Sequence, residues 1–277
     1  MSSVYDIYKK SLKSGLNGAS AMMIQVGTLM WMRTIMNYQY RYGGTIAQTA
    51  SQLYKDGGIR RFYRGVGAAL FQGPLSRFGD TFSNTLALSL CKENDVLKKL
   101  PIPVQTVFAS TTAGLFRILL MPIDTVKTVL QVEGKEGLSV LRKKIQSGGP
   151  RVMFHGAMAT ASATMVGHYP WFMTFNTLDS YLPKYNTKLE TFVRNATIGF
   201  SASIASDTIS NSLRVIKTAK QASQTPVTYS RVAKEIIEKD GIPGLLGRGL
   251  PMRLLTNGVQ GILFSVLWKY FDTKQTS

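Results

Sequence analysis

The chain has 277 residues, of which 33 are lysine or arginine and 15 are aspartate or glutamate, so its formal net charge is +18. Because 44% of the residues are hydrophobic, apolar and basic residues must be segregated along the sequence. A positive charge of this size favours an anionic partner, either nucleic acid or a lipid surface. No helix-turn-helix, zinc-finger or RNP motif is recognisable, and long apolar stretches separate the basic clusters, which argues against nucleic acid.

The residues that usually carry metal or redox chemistry are scarce. The single cysteine, Cys91, excludes an intramolecular disulfide framework and a four-cysteine metal site. The chain has two histidines, and no grouping of serine, histidine and aspartate or of paired carboxylates suggests catalysis. We therefore expect a protein that is not an enzyme and has no cofactor. The polar, lysine-bearing N-terminus does not have the pattern of a secretory signal.

Six segments have about the twenty residues that a helix needs to cross a bilayer. None is purely apolar, and polar residues at that depth should face the interior of a helix bundle or a wet cavity. Small residues recur at helical spacing and would let helices approach closely. A soluble protein with buried amphipathic helices is the alternative. The predicted spans are 11–38, 66–90, 103–131, 157–182, 191–220 and 250–272.

One sequence unit occurs three times. Each even-numbered span opens on a glycine that follows an aromatic or basic residue: Gly65, Gly156 and Gly249. A short amphipathic stretch and a glycine turn precede each of them, so the unit is a repeat of two spans with a surface helix between them. We expect one membrane domain over the whole chain, with repeats at approximately 11–95, 101–185 and 190–273.

The third span contains the run Pro122-Ile-Asp124-Thr-Val-Lys127, with Gln131 four residues beyond the lysine. Proline interrupts a helix because it lacks an N–H and clashes with the preceding turn. Asp124 and Lys127, three residues apart, share one helix face and can reach neighbouring helices. Together with the threefold repeat, this motif resembles the signature of the mitochondrial carrier family over the whole chain.

The resemblance implies an all-α membrane protein with six transmembrane helices, arranged as three pseudosymmetric two-helix repeats with short amphipathic matrix helices. Basic residues concentrate on the connections inside the repeats, which should lie on one side of the membrane. The resemblance assigns that side to the mitochondrial matrix and both termini to the intermembrane space. A basic rim beside helix N-termini suits cardiolipin head groups, and we expect them near Gly65, Gly156 and Gly249; a merely solvated rim is the alternative.

In the family, the acid of each odd helix pairs with the base of the next and closes the cavity toward the matrix. Here Met30 replaces the first acid and Arg214 the third. The family pattern then leaves one pair, Asp124 with Lys217, and the resemblance suggests that Gln131 braces it. Packing of Met30 and Ser212 through apolar contact is an alternative way to close this end. The predicted gate remnants are Pro122, Asp124, Lys127, Gln131, Arg33, Arg214 and Lys217.

The family closes the opposite end with acids and bases on the even helices, and no helix here carries that pair in the expected order. Asp179 and Lys269 are the remaining candidates. Substrate contacts in the family lie midway down the even helices, where the residues of this chain name no substrate. A cationic lining favours an anionic solute. The predicted contact residues are Gln72, Arg77, Ala163, Thr164, His168 and Thr256; His168 is equally a candidate packing residue.

Two functions fit these features. The first is a carrier of the inner mitochondrial membrane that moves a small, anionic metabolite by alternating access, which requires two closed states of similar energy. The second follows from the incomplete gates: a transport-impaired carrier fold that serves as a structural or accessory subunit of a respiratory-chain or other inner-membrane complex. The expected partners are the lipid bilayer, cardiolipin, a solute and such complex subunits, but not nucleic acid.

Overall fold

The computed structural model describes residues 4–93, 115–184 and 187–275, and most side chains between Met23 and Leu263. All regular secondary structure in these ranges is helical. In chain order the α-helices are α1 (Val4–Tyr42), α2 (Ile46–Phe62), α3 (Val66–Glu93), α4 (Met121–Glu133), α5 (Gly137–Gly148), α6 (Ala157–Tyr181), α7 (Lys188–Ala222), α8 (Tyr229–Gly247) and α9 (Leu250–Gln275).

Among the described residues, no helix combines the length and the apolarity that crossing a membrane requires. The arrangement of six spans in three repeats therefore stays a prediction.

The long helices form a bundle around a shared interior. Helix α1 packs against α3 and α9, α3 packs against α4, and α6 packs against α7, which also contacts α4 and α1. The short helices α2, α5 and α8 lie against α1, α4 and α7, respectively. The three predicted amphipathic stretches are thus helices, each packed on the long helix that precedes it.

Local sequence explains where the short helices begin and what they bury. Thr45 and Gln48 form a reciprocal capping box at the start of α2, which satisfies two of the donors left open at a helix N-terminus. Thr228 caps α8 in the same position. The apolar faces of these helices bury Leu53 against α1 and Val232 against α7, so hydrophobic burial fixes their position on the bundle.

Pro122 lies where the chain enters α4. Residues 115–119 are helical, the helix is interrupted at Leu120, and α4 starts at Met121 with Pro122 in its first turn. Proline is tolerated there because the first N–H groups of a helix have no partner within the helix. The interruption expected from the proline is therefore present, and it leads directly to Asp124.

Three glycines directly precede the helices of the even-numbered predicted spans, which are α3, α6 and α9. Gly65, Gly156 and Gly249 have φ angles of 84°, 98° and 65°, in the left-handed region that favours glycine, and α3, α6 and α9 begin at the next residue. A Cβ on Gly65 would lie 3.0 Å from the Lys127 carbonyl oxygen, and one on Gly156 would lie 2.9 Å from Lys217 Cγ. Gly65 and Gly156 thus allow close approach to α4 and α7, respectively.

Cations of the short-helix segments cap the C-termini of the long helices. Arg61 in α2 donates to two carbonyls at the end of α4, at 2.6 and 2.8 Å. Lys144 in α5 donates to two carbonyls at the end of α7, at 2.6 and 3.0 Å. Arg248, directly after α8, donates to the carbonyl of Arg41 in α1, at 3.2 Å. These bonds satisfy carbonyls without a partner within the helix and complement the helix dipole.

Replacing Gly156 by alanine should destabilise the protein by about 1–3 kcal/mol, because a left-handed backbone is strained for alanine and the new methyl group would meet Lys217. Gly199 is the matched control, since it lies inside α7 and a methyl group on its Cα would have no atom within 4 Å. Its replacement by alanine should be neutral or stabilising by up to about 1 kcal/mol. Thermal unfolding of both variants in detergent measures the difference. Equal stability of the two variants would contradict the role of Gly156.

Lys144 should make stability depend on pH. Burial, with Arg41 and Lys220 nearby, lowers the pKa of Lys144 from 10.5 to about 8. Between these two values the unfolded chain holds more protons than the folded one, so this residue's contribution to stability rises with pH across that interval. The wild type should therefore gain stability relative to Lys144→Arg, which keeps its charge, as the pH rises from about 8 to 10. A stability difference that does not change with pH would contradict this assignment.

Candidate functional site

The Asp124 carboxylate lies between two lysines. Its Oδ1 is 2.6 Å from Lys127 Nζ, one turn further along α4, and its Oδ2 is 2.6 Å from Lys217 Nζ on α7. The side chains of Asp124, Lys127 and Lys217 are 8%, 16% and 19% exposed. The structure thus brings together the pair expected from the motif copies. It also gives Lys127, which lacks its family partner, a carboxylate on its own helix.

The glutamine that braces this cluster is not the predicted one. Gln131 accepts a hydrogen bond from Asn37 at 2.6 Å and reaches the sulfur of Met30 at 3.3 Å, so its predicted role beside Asp124 is wrong. Gln221 instead donates toward Asp124 Oδ2 at 3.3 Å. Gln221 follows Lys217 by four residues, as Gln131 follows Lys127, and this spacing was the signal that could have identified it.

Helix α1 has a buried methionine, and no carboxylate, at the position of the first acid. Met30, in the position of the first acid, is fully buried and packs with Val26 and Ala69. Its sulfur contacts Gln131, which ties α1 to α4. The alternative of apolar packing at this position is therefore the arrangement found, and the base Arg33 of the same motif copy lies within electrostatic reach of Lys127.

A second charged cluster lies beside the third motif copy. Arg253 Nε is 2.7 Å from Asp207 Oδ1, and Asn257 donates to the other Asp207 oxygen. Arg214 donates from Nε to Ser210 Oγ at 3.3 Å and interacts electrostatically with Arg253 and Asp207. Arg33 interacts with Arg253 as well. Asp207 and Arg253 were not among the predicted site residues; the position of Arg253, one turn before Thr256, was the available signal.

The predicted substrate-contact residues have different surroundings. Gln72 belongs to the Asp124 cluster, since it accepts a hydrogen bond from Lys127 Nζ at 2.9 Å. Thr164 accepts a hydrogen bond from Arg117 at 3.3 Å, and the buried Thr256 donates to the Met252 carbonyl of its own helix at 2.6 Å.

The other three predicted contact residues are Ala163, His168 and Arg77. Ala163 is buried and apolar. His168 faces the ring of Phe172 edge-on at 6.1 Å, which fits the packing alternative. The side chain of Arg77 lies outside the described residues. The structure thus connects Gln72 to the charged clusters and places Thr164 beside a further arginine.

At the opposite end, Asp179 forms an ion pair with Arg194. Its Oδ1 is 2.8 Å from Arg194 Nη1, and the same guanidinium donates to the carbonyls of Asp179, Leu182 and Pro183 after the last turns of α6. Within the described residues Arg194 thus neutralises Asp179 and caps its helix, and the expected pairing of Asp179 with Lys269 stays a prediction. The side chain of Lys269 lies outside the described residues.

Within the part of the chain that the structure describes, no group of three or more histidine, cysteine, aspartate or glutamate side chains lies together. The described interior is instead rich in arginine and lysine. Such an arrangement can attract and hold an anion, because the cations are partly removed from water and their mutual repulsion is relieved by a negative charge.

Comparison with known proteins identifies the family. Mitochondrial magnesium exporter 1 of Drosophila melanogaster is 30% identical to this chain over 155 residues, which are 52% of this chain and 50% of that protein. The aligned part thus spans half the length of this relative. The family model described as Mitochondrial carrier protein matches residues 99–186 and 188–275. Since these ranges cover more than half of the chain, the protein belongs to the mitochondrial carrier protein family.

Proposed function

We propose that the protein is a transporter of the inner mitochondrial membrane that moves a small anion by alternating access. Membership of the mitochondrial carrier protein family supports transport in general. The single observation that carries the choice of an anion is the charge of the interior. Among the described side chains, two carboxylates, Asp124 and Asp207, face five cations: Arg33, Lys127, Arg214, Lys217 and Arg253.

The magnesium in the name of the fly relative bears on the form of the anion. A bare magnesium ion carries two positive charges and prefers oxygen ligands, so a lining with excess positive charge would repel it. A magnesium–anion complex without net positive charge would fit both the relative's name and this interior. The proposed solute is therefore an anion, either free or complexed with magnesium.

The gate follows from the same residues. We assign the closed end of the cavity to the Lys127–Asp124–Lys217 cluster, which joins α4 to α7, and to Gln131, which joins α1 to α4 through Asn37 and the Met30 sulfur. Opening would then require the Asp124–Lys217 ion pair and the hydrogen bonds of Gln131 and Gln221 to separate. With one described ion pair between α4 and α7, the closed state can stay close in energy to the open one, as alternating access requires.

The proposal also includes six membrane-spanning helices in three repeats, both termini toward the intermembrane space, and bound cardiolipin. The shared conformation of Gly65, Gly156 and Gly249 supports the repeats. The basic residues on the short-helix side support an orientation toward the matrix and an anionic lipid surface. In this proposal the protein has no catalytic role.

A structural or accessory subunit is the second candidate function. The observation that favours it is the loss of two gate carboxylates: Met30 is buried in one of their positions, and Arg214 occupies the other. A protein that cannot form both closed states would not alternate between them. Its outer surface would then be held by neighbouring subunits and lipid.

Uptake into liposomes separates the two functions. Protein reconstituted in liposomes should take up labelled phosphate, malate or ATP above the level of protein-free liposomes, with saturation, and each should be tested with and without magnesium. Asp124→Asn should lower the rate at least tenfold, since removing a charged hydrogen-bond partner typically costs about 1.5–3 kcal/mol. Glu235→Gln, which removes an exposed ion pair with Arg231, should leave the rate unchanged.

Two results together would contradict transport. No uptake of any of these anions, together with quantitative comigration with an inner-membrane complex in native electrophoresis, would contradict transport and establish the accessory function.

A further inference from the structure

We propose that Arg33, Arg214 and Arg253 form the binding site for one multiply charged anion, and that the bound anion replaces the carboxylate missing from the third motif copy. This inference rests on the proposed function, because it names the charge class of the solute and the side chains that hold it. The three arginines come from α1, α7 and α9, so a ligand between them would connect the first and last repeats.

Arg214 has unused hydrogen-bonding capacity. Among the described residues its guanidinium donates one hydrogen bond, from Nε to Ser210 Oγ at 3.3 Å, and forms no ion pair within 4.0 Å. The terminal nitrogens of its planar fork are the ones that bind oxyanions in pairs. They are therefore available for a ligand that enters the cavity.

The nearest described carboxylate cannot satisfy Arg214 as well. Asp207 is largely buried, with one oxygen 2.7 Å from Arg253 Nε and the other accepting a hydrogen bond from Asn257. Its single negative charge is shared by Arg253 and Arg214, and Arg33 lies within electrostatic reach of Arg253. One described carboxylate, Asp207, thus balances part of the charge of two guanidiniums, those of Arg253 and Arg214. A further negative charge beside them would therefore be favourable.

A buried hydroxyl points to the same place. Tyr40 is 2% exposed, and its hydroxyl lies within hydrogen-bonding reach of Arg253. A guanidinium can donate to the hydroxyl oxygen but cannot accept from its O–H, and no aligned acceptor for that proton lies among the described residues. Buried polar groups in folded proteins nearly always have such a partner. An oxyanion bound to Arg253 would accept this hydrogen bond and satisfy the group.

The motif copies explain why an anion belongs here. In the family pattern, the acid of the third copy pairs with the base of the first copy, which is Arg33 in this chain. Arg214 occupies that acid position, and both Arg33 and Arg214 interact electrostatically with Arg253. A dianion or trianion beside Arg253 would turn this repulsion into charge-assisted interactions. The chemistry fits phosphate-like oxyanions better than monovalent ions.

Thermal unfolding of the purified protein in detergent tests the site with pyrophosphate as the probe, in magnesium-free buffer, against sodium chloride at equal ionic strength. Pyrophosphate should raise the unfolding temperature of the wild type with saturation, since a ligand that binds the folded state stabilises it. Arg214→Gln should weaken the apparent affinity at least about tenfold. Arg231→Gln, at an exposed position on α8, is the matched control and should keep the wild-type response.

Arg214→Asp provides a second, opposite test. The new carboxylate should pair with Arg33, raise stability without ligand and abolish the pyrophosphate response. An unchanged pyrophosphate affinity in Arg214→Gln, or an equal effect of sodium chloride on the wild type, would overturn the proposed site. If Arg214→Gln does not fold, Arg33→Gln is judged by the same affinity criterion.

Different results would contradict the proposed anion site and the proposed transport function. Anion uptake into liposomes that does not depend on Arg214 would overturn the site and leave transport standing. Pyrophosphate binding that depends on Arg214, in a protein that takes up no anion, would leave the site standing and contradict transport.

Discussion

One buried carboxylate holds the interior of this protein together. Asp124 contacts Lys127 on its own helix and Lys217 on α7, each at 2.6 Å, and Gln221 adds a hydrogen bond. A buried ion whose partner is removed typically costs about 3–5 kcal/mol, so the two lysines depend on this aspartate to stay buried. Helices α4 and α7 are thus joined by charge, whereas α1 contributes Met30, which packs against Ala69 and contacts Gln131.

The scaffold and its lining follow different constraints. The scaffold depends on backbone features: left-handed glycines such as Gly156, and cations such as Lys144 that cap the long helices. These features depend on backbone conformation and on main-chain carbonyls, so the side chains of the interior can change while the helices keep their places. A member of the family can therefore carry Arg214 in the position of an acid. The result is an interior rich in cations.

Much of the fold could be predicted from the sequence, because the deciding signals are local. Gly156 marks the start of α6, and the resemblance to the family predicted the pairing of Asp124 with Lys217. The pairs of Asp207 with Arg253 and of Asp179 with Arg194 could not be predicted in this way. Which cation reaches a carboxylate depends on how two helices are rotated against each other, and spacing along one helix does not determine that. Gln221 differs in this respect, since it follows Lys217 by four residues and this spacing could have identified it.

The Asp124–Lys217 ion pair is the interaction that ties α4 to α7. A double-mutant cycle with Asp124→Asn, Lys217→Met and the combined variant measures it directly, through the free energy of unfolding in detergent. The account predicts a coupling energy of about 1–3 kcal/mol, with the combined variant less destabilised than the sum of the single ones, because neither residue then leaves its partner buried and unpaired. Additive effects, with a coupling energy of about zero, would contradict it.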